Sequence, residues 1–105
     1  MSARIRALVV DDEDAILRFL KPALEANNYE MTSTGTVTDA VKRVAAETPD
    51  IVLLDLGLPD GDGKDVIRRC REWSDVPIIV LSARDREVEK IEALDLGADD
   101  YVNKP

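Results

Sequence analysis

Histidine is absent from this 105-residue sequence, and cysteine occurs once, at Cys70. A His/Cys zinc site, a Ser-His-Asp triad and an internal disulfide are therefore excluded, and any metal must be held by oxygen. Aromatic residues make up only 4%, so a core has to be built from aliphatic side chains. Nowhere do about 20 apolar residues follow one another, the length a membrane-spanning helix needs. Residues 1–6 lack the apolar stretch of a signal peptide, and the expected location is the cytoplasm. Basic residues are outnumbered, 14 against 22 acidic, giving a formal net charge of -8. That charge opposes direct binding to phosphate backbones or anionic membranes, which rests on Lys and Arg.

What is present is 45% hydrophobic residues, enough for one core and too much for a disordered acidic tail. Short apolar runs end abruptly at polar residues. Residues 5–10 stop at Asp11 and Asp12, residues 51–54 at Asp55, and residues 77–81 at Ser82. Between them the apolar spacing is helical. Ile16, Leu20, Ala23 and Leu24 share one face, as do Val37, Val41, Val44 and Ala45; Val66, Ile67 and Cys70 form the inner side of a third helix, and Val88, Ile91 and Leu94 that of a fourth, ended by Gly97. Thr36 and Asp39 resemble a capping box, Asp14 reads as a cap of the first helix, and Pro22 should kink that helix. With strands over 29–33 and 99–103 the order is βαβαβαβαβ, which implies a parallel sheet covered on both faces. Tyr29, Trp73 and Cys70 are expected to be packing residues.

In open α/β sheets, ligands bind beyond the carboxyl ends of the strands, where strand order reverses. Those ends carry Asp11, Asp12, Asp55, Ser82 and Lys104. Taken singly, Asp11 and Asp12 read equally as helix caps or as ligands, Ser82 as a cap and Lys104 as a solvated charge. An acid such as Asp55, closing an apolar run, needs a partner. Their joint placement points to function: three carboxylates either share protons or bind a hard cation, for which Mg²⁺ is the natural candidate. With Lys104 adding positive charge, one carboxylate can accept a phosphoryl group while the Ser82 hydroxyl donates to it. Two other motif matches fail. The stretch 57–64 has its glycines one residue too far apart for a P-loop and Asp65 where Ser or Thr is required. The Asp60 and Asp62 pair fails as a Ca²⁺ loop because Asp65 stands at the glycine position and Arg71 at the bidentate glutamate.

The segments Val9-Val10-Asp11-Asp12-Glu13, Asp55-Leu56-Gly57-Leu58-Pro59-Asp60-Gly61-Asp62-Gly63, Val80-Leu81-Ser82-Ala83-Arg84 and Gly97-Ala98-Asp99-Asp100-Tyr101-Val102-Asn103-Lys104-Pro105 together resemble the receiver domain of bacterial two-component response regulators. The resemblance covers the whole chain and is closest to the OmpR/PhoB subfamily. Within it, residues 55–63, Trp73-Ser74 and residues 81–84 are most similar to regulators of potassium-uptake operons. It implies a flavodoxin-like (CheY-like) doubly wound sheet of five parallel strands in the order 2-1-3-4-5. Asp55 would be the phosphoacceptor, taking a phosphoryl group from a phosphohistidine on a sensor histidine kinase. Asp11 and Asp12 would hold Mg²⁺ together with Asp55 and the backbone carbonyl of Gly57. Ser82 would bond a phosphoryl oxygen, Lys104 would pair with it, and Tyr101 would turn inward on activation. The resemblance also implies self-phosphorylation and autodephosphorylation in place of conventional enzyme turnover, and a cis peptide between Lys104 and Pro105.

The sequence, residues 1–105, reads as a single receiver domain that stops before the family's usual fifth helix. The subfamily's winged-helix DNA-binding domain, its route to DNA and to transcription control, lies outside it. Lys90, Asp99 and Asp100 match positions that help form salt bridges across the subfamily's homodimer face, whose partners lie on that fifth helix. A sheet side left partly bare is expected to lower stability or to promote self-association. Two readings compete with a phosphoryl-accepting switch. A receiver-like module binding a protein without phosphorylation would be favoured by loss of Asp12, Asp55 or Lys104, and all three are present. A haloacid-dehalogenase-type phosphatase would carry its nucleophile after the first strand, whereas the isolated candidate, Asp55, follows the third.

Overall fold

A computed structural model describes residues 4–83 and 87–104. The chain alternates strands and helices: β1 (Ile5–Val10), α1 (Asp14–Ala26), β2 (Tyr29–Thr34), α2 (Val37–Glu47), β3 (Ile51–Leu54), a small hairpin of β4 (Gly57–Leu58) and β5 (Gly61–Asp62), α3 (Lys64–Cys70), β6 (Ile78–Ser82), α4 (Glu87–Leu96) and β7 (Asp100–Asn103). The main sheet is parallel, in the order β2-β1-β3-β6-β7. Counting only its five strands, this is the expected 2-1-3-4-5. Strands β4 and β5 pair antiparallel, Gly57 with Asp62 and Leu58 with Gly61.

The two faces of the sheet differ. Leu8, Val10, Val52, Leu54, Ile78 and Val80 are buried in one cluster with α2, α3 and Ala93 of α4. Their alternating neighbours Ile51, Leu53 and Ile79 are only half-buried; with Ala7 they line an open groove against Leu20, Ala23 and Leu24 of α1. The period of two follows from strand geometry, and the open groove lies on the side that carries α1. No residue of α1 is fully buried, although the helix runs through Pro22 from Asp14 to Ala26.

Several local expectations change. Val88, Ile91 and Leu94 face solvent, the first two at 64% and 54% exposure, and α4 instead turns Ala93 inward. Its amphipathic pattern is too weak to fix its rotation, and the small alanine allows a close approach to the body. Trp73 is half exposed rather than packed. Asp14 lies in the first turn of α1 and caps nothing; the N-cap position is Glu13, without a side-chain cap bond. Thr36 does accept from the Asp39 amide, at 3.1 Å, but the Asp39 carboxylate bonds the Thr34 hydroxyl and Arg43 instead of completing a reciprocal box. The Lys104–Pro105 peptide and Arg84 lie outside the described residues.

Candidate phosphoacceptor and metal site

The strand register sets Val10 beside Leu54 and Leu54 beside Val80. The residues that follow therefore leave the sheet at one edge. Asp11 and Asp55 are fixed there by backbone bonds, the Asp11 amide donating to the Thr34 carbonyl at 2.9 Å and the Asp55 amide to the Val10 carbonyl at 2.8 Å. Ser82, the last residue of β6, is 1% exposed. Lys104 follows β7, its amide donating to the Ser82 carbonyl at 3.0 Å.

Asp11, Asp12 and Asp55 each offer a carboxylate oxygen within 4.8 Å of the others. Asp11 and Asp55 are buried, whereas Asp12 is exposed. The Lys104 side chain, 8% exposed, places Nζ 2.8 Å from Asp11 Oδ2, 3.6 Å from Asp55 Oδ2 and 3.2 Å from Glu13 Oε2. It is a buried counter-ion rather than a solvated surface charge. Burial alone would pull its pKa down, but hydrogen bonds to Asp11 and Glu13 and the charge of Asp55 outweigh this and raise it. Asp55 is pushed up as well, first by burial and then by the Asp11 charge, against the opposing pull of Lys104 and the Gly57 amide. Two buried acids beside one ammonium leave the pocket short of positive charge. Its all-oxygen donor set, partly open at Asp12, fits a hard divalent cation.

The loop after Asp55 is drawn tightly against it. Gly63 donates to the Leu56 carbonyl at 2.8 Å, and a Cβ at position 63 would collide with the Asp55 carbonyl oxygen, so glycine is required there. Asp60 anchors the hairpin from the other side, its carboxylate accepting from the amides of Val37 at 2.8 Å and Thr38 at 3.2 Å at the start of α2. Gly57 opens the hairpin and is exposed. Tyr101, in β7, packs half-buried against the main core. Sequence reasoning missed Glu13 as a partner of Lys104, Asp60 as a cap of a distant helix, and Lys64. No spacing rule signals such contacts, because each joins segments brought together only by the fold.

Asp99, matched from sequence to a dimer salt bridge, is engaged within the chain. Its carboxylate accepts from Arg71 at 3.1 Å and from the Ile78 amide at 2.8 Å.

A parallel sheet in this order, with acids and a lysine gathered at its carboxyl edge, defines a receiver-type α/β domain. The family model described as "Response regulator receiver domain" matches residues 7–105, and the chain belongs to that family. It is 53% identical over 98 residues to the KDP operon transcriptional regulatory protein KdpE of Escherichia coli, covering 93% of this chain and 44% of that protein. To the transcriptional regulatory protein KdpE of Mycobacterium tuberculosis it is 49% identical, covering 93% and 43%. The chain thus spans less than half the length of these curated relatives. Among solved structures, the Francisella response regulator 1452 receiver domain superposes with a TM-score of 0.89 at 32% identity, covering 97% of this chain and 85% of that one. The activated N-terminal receiver domain of Klebsiella pneumoniae RstA gives 0.90 at 29% identity, covering 94% and 85%. No helix among the described residues is long and apolar enough to cross a membrane.

Proposed function

We propose that this chain is a phosphoryl-accepting switch of a two-component phosphorelay, with Asp55 as its acceptor and a sensor histidine kinase as its donor. The observation that supports this best is the burial of Lys104 between Asp11 and Asp55, which supplies a fixed positive charge beside a nucleophilic carboxylate. An Asp55 carboxylate oxygen attacks phosphorus as the P–N bond of the phosphohistidine breaks. The bond's electron pair stays on the imidazole, and an acyl phosphate forms. Hydrolysis is the reverse kind of displacement: water attacks phosphorus, the P–O bond to Asp55 breaks, and the carboxylate and inorganic phosphate are released.

Asp11, Asp12, Asp55 and the Gly57 carbonyl would hold Mg²⁺, which when bound supplies charge neutralisation to the phosphoryl oxygens. Lys104 pairs with the phosphoryl group, and the Ser82 hydroxyl donates a hydrogen bond to it. Drawing Ser82 toward the new charge moves the end of β6, and Tyr101 on the neighbouring β7 follows, an element with two arrangements biased by one charge. By similarity to KdpE, the output is control of transcription through a DNA-binding part of a longer protein, acting in the cytoplasm on a potassium-uptake operon.

Acetyl phosphate with Mg²⁺ is expected to add one phosphoryl mass to the protein and none to Asp55→Asn. Equal phosphorylation of both would overturn the assignment.

A further inference from the structure

Outside the phosphoacceptor pocket, the most concentrated set of charges among the described residues surrounds Lys64. This residue opens α3 directly after Gly63, the glycine pressed against the Asp55 carbonyl. Its side chain is only 12% exposed. Nζ lies 2.7 Å from Glu92 Oε2, 2.9 Å from Glu89 Oε2 and 3.5 Å from Asp62 Oδ2, while its own amide donates to Asp62 Oδ1 at 2.9 Å. One ammonium thus joins the acceptor loop to two carboxylates spaced three apart on α4, which places them on one helix face.

Helix α4 buries little apolar surface, with Leu96 packed partly buried against the core. Ala93 is its one fully buried residue, and Val88, Ile91 and Leu94 are exposed. Apolar burial on this scale is a weak clamp, and the ion pairs to Lys64 add to it. Hydrogen bonds to Glu92 and Glu89 raise the Lys64 pKa above its ordinary value, and the ammonium stays charged throughout the physiological range. Without it, the link from Asp62 to Glu89 and Glu92 is lost, and with it this hold on α4.

We propose that Lys64 is a positioning residue: it ties α4 to the loop that follows Asp55, and this tie sets the resting position of the helix and its response to phosphorylation. The inference rests on the switch reading of Asp55 for its consequence, but not for the tie itself. The path is short and continuous. The Asp55 backbone touches Gly63, Lys64 follows it in sequence, and its ammonium meets Glu89 and Glu92. A phosphoryl group that shifts this loop necessarily strains the ion pairs, whereas one that leaves it unmoved has no such route to α4.

Two measurements on the 105-residue chain test this, with Lys64→Met and Lys64→Arg compared against wild type. Amide hydrogen exchange without any phosphodonor reads the tie. In Lys64→Met, α4 amides are expected to exchange about tenfold faster, as for an ion pair between the exposed and buried extremes, while amides of β1 and β3 are unchanged. Lys64→Arg restores protection. Unchanged α4 exchange in Lys64→Met, or acceleration spread equally over the whole sheet, would overturn the proposal. The second measurement records α4 resonances before and after beryllofluoride with Mg²⁺. The Lys64→Met resonances are expected to lie part-way toward those of treated wild type before any addition, and resonances at the untreated wild-type positions would overturn the coupling to the switch. If wild type itself fails to respond to beryllofluoride, the switch reading of Asp55 fails, and the exchange measurement still decides the tie.

Discussion

Lys104 sits closer to Asp11 than to Asp55, 2.8 Å against 3.6 Å. In the resting pocket the lysine is therefore held mainly by a neighbouring acid, with Glu13 as a further partner at 3.2 Å. Under the proposed function, it has to be shared or released when a phosphoryl group arrives on Asp55. Exchanging one anionic partner for another avoids stranding a buried charge, which would be costly.

The raised pKa of Asp55 makes a pH-dependent prediction. A carboxyl raised in the folded state above its ordinary 3.8 contributes fully below that value, and the contribution is lost as pH rises through the folded pKa. At pH 7 the ionised carboxylate, burial-strained and facing Asp11, opposes folding. Asp55→Asn is expected to raise Tm at pH 7 by a few degrees, the scale of about 1 kcal/mol in a domain this small. That advantage should shrink to nothing as pH falls below the ordinary carboxylate value, and thermal unfolding of both proteins across pH checks it.

Divalent cation is expected to bind weakly and to stabilise the fold. At tenfold excess over Kd, Mg²⁺ adds about 1.4 kcal/mol by mass action. Asp12→Ala, which removes an exposed carboxylate of the cluster, should abolish most of this gain while changing the metal-free protein little. Titration followed by NMR and by Tm separates the two effects, and an unaltered affinity would exclude Asp12 as a ligand.

Gly97 ends α4 with φ of 116°, and a Cβ there would meet the Arg71 side chain at 3.0 Å. Arg71 in turn donates to the Gly97 carbonyl at 2.9 Å and to Asp99 at 3.1 Å. Gly97→Ala therefore combines backbone strain with displacement of a bonded arginine, and a loss of about 1–3 kcal/mol is expected in denaturant unfolding. Arg71→Lys, which cannot reproduce the forked contact, should lose part of the same stability.

The unequal faces of the sheet predict unequal costs of truncation. Leu54 is fully buried, so Leu54→Ala should cost about 2–5 kcal/mol. Its neighbour Leu53 lines the open groove beside α1, and Leu53→Ala should cost clearly less by the same measurement. The exposed aliphatic groove is also expected to make the 105-residue polypeptide self-associate as concentration rises, which sedimentation checks.

Much of this architecture was readable before any coordinates. The strands at 5–10 and 51–54, the inner residues Val66, Ile67 and Cys70, and the helix stop at Gly97 all follow from local pattern, because period, burial and glycine conformation are properties of short segments. Asp11, Asp55, Ser82 and Lys104 could be assigned to one edge because a parallel sheet aligns its strand ends. Only the tertiary structure decided what these groups touch. That Lys104 leans on Asp11 and Glu13, that Asp60 caps a helix beginning 23 residues earlier, and that Lys64 reaches across to Glu89 and Glu92 depend on distances between segments far apart in the chain. The rotation of α4, with Ala93 inward and Val88 and Ile91 in solvent, was misread for the same reason. Sequence period states that a helix has an apolar side, but when the pattern is weak, the packing partner and its charges choose which side is turned to the core.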